Sequence, residues 1–251
     1  MRLLFFLPVL ALLSGCGEKP STGAEKEEPT DPASDPATPS AAGSPGKESS
    51  PPLLSDADVE RLLKEAVDVE SLEERGGLAY LNDELYSGWI KDMYGSGQAK
   101  VLGRLKDGKR DGPWTIWEWL SYHTHGQKMT EATYKDGELD GLLTEWHENG
   151  QKRAEGTYKD GEEDGPMTEW YEDGRLASER TWDNGELVAV TVRMPNGDKC
   201  PNTKFENGSG IVYAYWENGQ KAFEGTYKDG KESGLHTSWH KNGQKAFEGT
   251  Y

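Results

Sequence analysis

Five histidines, two cysteines and 45 acidic side chains are the groups in this 251-residue chain that could carry chemistry. His236 and His240 stand four apart, a spacing that on a helix would place two metal ligands on one face. On a strand they share a face but sit about 13 Å apart at ~3.3 Å per residue, too far to share one ion. His123 and His125 could approach each other, but the local sequence supplies no third ligand. There is no nucleophile elbow, no phosphate-binding glycine loop and no zinc-type cysteine spacing. The carboxylates gather in turns and at alternating strand positions, where they keep a repetitive chain soluble. No catalytic residue, metal or cofactor is therefore expected, and the chain is read as a non-enzyme.

The remaining residues with recognition potential are aromatic. Trp146, Trp170, Tyr215 and Trp239 recur at one position of a repeat, and Tyr158, Tyr227 and Tyr251 recur at another. Such rings either stack between neighbouring strands or present a contact surface to a partner. The four residues of the first row, with Tyr158 and Tyr227, form the candidate interaction surface.

Two series of glycines position these rings. Gly97, Gly126, Gly150, Gly174, Gly197, Gly219 and Gly243 form the first, and Gly108, Gly137, Gly161, Gly185, Gly208 and Gly230 the second. The step from first to second is always eleven residues and the return most often thirteen, a period of 24. An insertion around residues 120–125 lengthens one unit, and the repeat shortens and degenerates between Gly185 and Gly219. Most of these glycines follow Asn or Asp, a strong hairpin signal, and their frequency argues against helices. The expected fold is all-β: an elongated, single-layer antiparallel meander of about thirteen strands.

Face parity suggests the turn type. Three-residue loops such as Glu148-Asn149-Gly150 and Lys159-Asp160-Gly161 would collect Leu142, Thr144, Trp146, Lys152, Ala154, Gly156 and Tyr158 on one face. Leu143, Glu145, His147, Gln151, Arg153, Glu155 and Thr157 would occupy the other. Both turn series are therefore expected to have three-residue loops, with both aromatic rows on one side. Gly156, Gly225 and Gly249 fall in mid-strand, opposite Leu142, Ile211 and Leu235 in this register. There a missing side chain would let a neighbouring group lie over the backbone, a bulge being the alternative.

The strings Asn149-Gly150-Gln151-Lys152-Arg153-Ala154-Glu155-Gly156-Thr157-Tyr158-Lys159-Asp160-Gly161 and Asn218-Gly219-Gln220-Lys221-Ala222-Phe223-Glu224-Gly225-Thr226-Tyr227-Lys228-Asp229-Gly230 resemble the bacterial variant of the MORN repeat. The resemblance spans roughly residues 86–251. It extends to proteins labelled antitoxins of the YwqK type, and eukaryotic MORN repeats have been linked to scaffolding and phospholipid binding.

The N-terminal third differs. Arg2, the apolar run Leu3–Leu13 and then Leu13-Ser14-Gly15-Cys16 resemble a bacterial lipoprotein signal, which implies cleavage before Cys16 and acylation of its thiol. Residues 1–15 are read as the signal peptide and 16–54 as the lipidated cysteine with a disordered Pro/Ser/Glu-rich tether. Residues 55–85 are read as a helix (55–75, stopped by Gly76-Gly77) and lead-in cap over the first sheet edge, and 86–251 as the repeat array. The net charge of −17 argues against nucleic acid and anionic membrane surfaces as partners. Membrane attachment would run through the lipid alone, at the cell envelope and by preference the outer membrane. With Cys16 acylated, Cys200 is expected to be a bystander thiol. The last strand, 244–251, would be an open edge giving weak, concentration-dependent self-association visible in sedimentation. The leading functional expectation is an envelope-anchored protein-interaction or scaffold module. Alternatives are a cell-wall glycan- or ligand-binding repeat and an antitoxin-like component.

Overall fold

The computed structural model describes residues 54–119 and 125–251, all within one structural unit. The signal segment, Cys16, the tether up to residue 53 and His123 lie outside the described residues.

The first element is helix α1 (Asp56–Glu65). Ser55 caps it, its Oγ accepting the Asp58 N–H at 3.2 Å, with Asp56 and Asp58 at the positive helix end. Val59 and Leu62 are buried. The expected helix over 55–75 is thus cut short. Ala66 turns extended, and β1 (Val67–Asp68) pairs in parallel with Ile90 and Lys91. Strand propensity at Val67, satisfied by an open sheet edge, prevails over the helical pattern. A short 3-10 turn (Val69–Ser71) precedes β2 (Glu73–Arg75), β3 (Leu78–Leu81) and β4 (Glu84–Leu85), which form a small three-stranded sheet. Gly76 and Gly77 turn the β2–β3 hairpin rather than ending a helix.

The meander follows as β5 (Gly88–Met93), β6 (Ala99–Lys106), β7 (Lys109–Trp119), β8 (His125–Lys135), β9 (Glu138–Trp146), β10 (Lys152–Lys159), β11 (Glu162–Trp170), β12 (Leu176–Asp183) and β13 (Glu186–Val192). Each pairs antiparallel with the next, and β1 completes a ten-stranded sheet. A second, five-stranded sheet contains β14 (Lys204–Glu206), β15 (Ser209–Tyr215), β16 (Lys221–Lys228), β17 (Lys231–Trp239) and β18 (Lys245–Thr250), with β18 outermost. The continuous meander expected from the repeat is therefore interrupted at residues 193–203. Pro195 and Pro201 remove two backbone donors there, and the isolated bridge Arg193–Lys199 stands in place of a hairpin. Cys200 lies in this segment, and the bystander reading is corrected. It is buried at 7% exposure, donates its N–H to Val192 O, and joins a core with Trp182, Leu187, Val192 and Val212. It is disulfide-bonded.

The two turn series differ in kind. In the first, His147 N–H donates to Gln151 O and Gly150 N–H to His147 O, closing the expected three-residue loop. Asn149 Oδ1 accepts the Gln151 N–H at 2.9 Å, and Asp173, Asn196, Asn218 and Asn242 do the same in their own turns. In the second series, Asp160 and Gly161 both have positive φ (49° and 84°), and Lys159 pairs with Glu162. These are two-residue turns of the I′ kind, and the expectation of three-residue loops there is corrected. Asp and Asn tolerate the left-handed conformation best among residues with a side chain.

Bulges settle the faces. Trp146 pairs with Lys152, but Glu145 pairs with Ala154, so Arg153 is an extra residue in β10. Tyr215/Ala214 and Trp239/Ser238 show the same shift against their partners. Gly156 consequently faces Leu143, Gly225 faces Val212 and Gly249 faces His236, each one residue from the expected register. Ala154, Gly156 and Tyr158 share a face with Glu145 and Leu143, and Trp146 lies on the opposite face with Thr144 and Leu142.

The strand glycines are covered by neighbouring side chains, as expected. A Cβ on Gly103 would collide with the indole of buried Trp114, and one on Gly156 would come 3.0 Å from the flexible end of Met167. Gly103→Ala is expected to cost about 1–3 kcal/mol by overpacking, and Gly156→Ala under about 1 kcal/mol. Urea denaturation midpoints of the two variants test this contrast, and equal midpoints would count against it.

Candidate functional site

One face of the first sheet carries the tryptophan row. Thr115, Glu131, Thr144, Glu155, Thr168, Glu179 and Thr191 are successive cross-strand partners on this face. The alternation keeps each carboxylate about two strand spacings, roughly 10 Å, from the next. Lysines placed by the bulges balance them: Lys128 pairs with Glu131 at 2.7 Å, and Lys152 pairs with Glu155. The second sheet repeats the device in Lys221–Glu224 and Lys245–Glu248. Lys221 also lies 5.0 Å from the ring centres of Tyr213 and Trp239.

The residue that follows the end of β5, β9, β11 or β15 acts as a clamp between repeats. Tyr94 OH donates to Trp117 O, His147 Nε2 to Trp170 O, Tyr171 OH to Arg193 O and Trp216 Nε1 to Trp239 O, at 2.8–2.9 Å. Sequence reasoning missed these residues. Their signal was an aromatic or imidazole ring with a polar tip recurring three residues before the first-series glycine.

The six candidate interaction residues do not form one surface. Trp146, Trp170 and Trp239 are partly exposed on the tryptophan face of their sheets, but Tyr215 on that face is buried at 7% exposure. Tyr158 and Tyr227 belong to the opposite face, and Tyr227 is buried at 4%. The expectation of both rows on one side is corrected, because one bulge residue per hairpin reverses the parity between them. His236 is also buried; its Nε2 donates to Thr226 O, and its ring touches Phe223, Tyr227 and Tyr251. Among the described residues, no group of three His, Cys, Asp or Glu could hold a metal. Among the same residues, no helix is long and apolar enough to cross a membrane.

The tyrosine face carries a buried charge cluster. Arg180 stands five residues before Gly185, where Gly103, Gly156 and Gly225 stand five before their own turn glycines. Its guanidinium is almost fully buried, with Nη1 3.0 Å from Glu169 Oε2. Glu145 holds Arg153 at 2.7 Å, yet burial pushes its carboxyl above the usual range. Burial pushes Glu163 up to about 7; Arg180 opposes this, and Glu169 and Glu232 reinforce it. The phenols of Tyr158 and Tyr227 are raised for the same first reason. Glu163, Trp182, Tyr227 and Glu232 line a cavity of about 340 Å³ where the two larger sheets meet.

Fold and faces together define a β-hairpin repeat protein. Residues 139–160, 163–184 and 209–229 match the family described as the MORN repeat variant. Each match covers one hairpin, from the strand after one I′ turn to the next such turn. No curated protein matches the chain.

Proposed function

We propose that the chain is an interaction module held at the cell envelope by a lipid on Cys16. One observation supports the interaction reading: Trp146 and Trp170 stay partly exposed on a face that, around Leu102 and Trp117, is already occupied by α1. Large apolar side chains arrayed on one open face commonly mark contact sites. Trp170→Ala is expected to reduce crosslinking to an envelope partner at least tenfold at temperatures where circular dichroism is native. Lys159→Ala, beside an I′ turn, should leave it unchanged. Full crosslinking by Trp170→Ala would assign the row to strand stacking alone.

The anchor rests on the signal-like segment, and Cys16→Ser should shift the protein from the membrane to the soluble fraction. The chain has only two cysteines, so a lipid on Cys16 and an internal disulfide to Cys200 exclude each other. The mass of the membrane-extracted protein separates them. A non-lipidated chain carrying that disulfide would sink the lipid reading.

A further inference from the structure

We infer that the tryptophan face of β9 to β12 is a seat for a basic amphipathic helix of a partner protein, an inference that rests on the interaction reading above. The chain itself shows how this face receives a helix. Val59, Leu62 and Ala66 of α1 pack against Leu102 and Trp117, with Trp89 beside them. Lys91 Nζ donates to Leu63 O at 2.9 Å, and Lys128 reaches Asp56 at 3.8 Å. Trp117 pairs with Lys128 beside a bulge just as Trp146 pairs with Lys152 beside one, so the repeat reproduces the seat farther along the sheet.

The copy differs in charge, and the difference selects the occupant. Leu102, Thr115 and Glu131 run across the first seat, whereas Thr144, Glu155, Thr168 and Glu179 run across the second. Lys152 holds Glu155 as Lys128 holds Glu131, so the added charge of the second seat is exposed Glu179, in line with the position where α1 meets Leu102. α1 is itself acidic in its first turn, through Asp56 and Asp58. A second helix of that character would face like charge; one with apolar residues for Trp146 and Trp170 and lysines or arginines for the carboxylates complements the surface.

The probe is a lactam-bridged helical peptide of residues 54–67 in which Asp56, Asp58, Glu60 and Glu65 are replaced by lysine, titrated into the full chain. It should bind with a Kd of tens of micromolar. The unaltered acidic peptide should bind at least tenfold more weakly. Trp146→Ala and Trp170→Ala should each reduce affinity at least fivefold with the fold intact, and Glu155→Lys with Glu179→Lys should abolish it. Undiminished binding by those variants overturns the inference, as does binding that appears only when Leu62→Asp has loosened α1 from its own seat. A photocrosslinker at position 170 separates the two levels of the argument. Envelope crosslinks without any binding of the basic peptide would leave the interaction reading standing and refute the helix. Absence of both would refute both.

Discussion

Arg180→Ala is expected to destabilise the protein by about 3–5 kcal/mol, because it leaves buried carboxylates without their opposite charge. Glu169 lies 3.0 Å from the guanidinium, and Glu163 and Tyr158 feel it as well. Arg180 Nη1 meets Glu169 as an ion pair without hydrogen-bond geometry. The repeat supplies the complementary experiment. Arg180→Gly combined with Glu163→Leu and Glu169→Ile installs residues found at the same positions in other hairpins, namely Gly156, Leu139 and Ile116. Apolar replacement of a whole buried ionic group is often neutral or stabilising, so the triple variant should regain most of the loss. Urea denaturation reads both, and a loss below about 1 kcal/mol in Arg180→Ala would show that the cluster is not held by this charge.

Glu163→Gln is expected to flatten the fall in stability between about pH 4.5 and 7. The folded state raises the Glu163 carboxyl from 4.5 to about 7, so the native protein binds more protons than the unfolded chain in that window. Below the window both states are protonated and the group imposes no cost; stability is lost as pH rises through it, and the full penalty remains above it. The contribution is on the order of 2–3 kcal/mol, reduced where solvent reaches the carboxyl. Melting temperatures of the two proteins should therefore converge near pH 4 and differ most above pH 7, with the variant higher. Arg180, Glu169, Glu232 and Tyr158 are unchanged in the comparison, so their own titrations largely cancel. A wild-type protein that gains stability relative to the variant as pH rises would reverse the assignment.

Much of the architecture was legible in the residues. Glycines after Asp and Asn at alternating steps of eleven and most often thirteen require left-handed backbone at recurring intervals, and a chain turned back at those intervals makes an antiparallel meander. Ser55 followed by Asp56 and Asp58 marked the helix start, because those groups act within one turn of chain. The strand glycines announced that something must lie over them. Gly103 with Trp114 shows what does.

The faces were not legible, for a physical reason. Side-chain parity has a period of two, so one extra residue reverses it, and the bulge that places Arg153 opposite no partner exists only in the pairing of two strands. Sequence alone put Trp146 and Tyr158 together; the register separates them. The charge cluster was hidden likewise. Arg180 read as a departure from a glycine position, but Glu169 and Glu163 come from a neighbouring strand and Glu232 from the other sheet. Local backbone demands, which act over a few residues, determined the turns and the strand order. Which side chains meet across strands, and how far burial shifts their charge, was decided only by the assembled sheets.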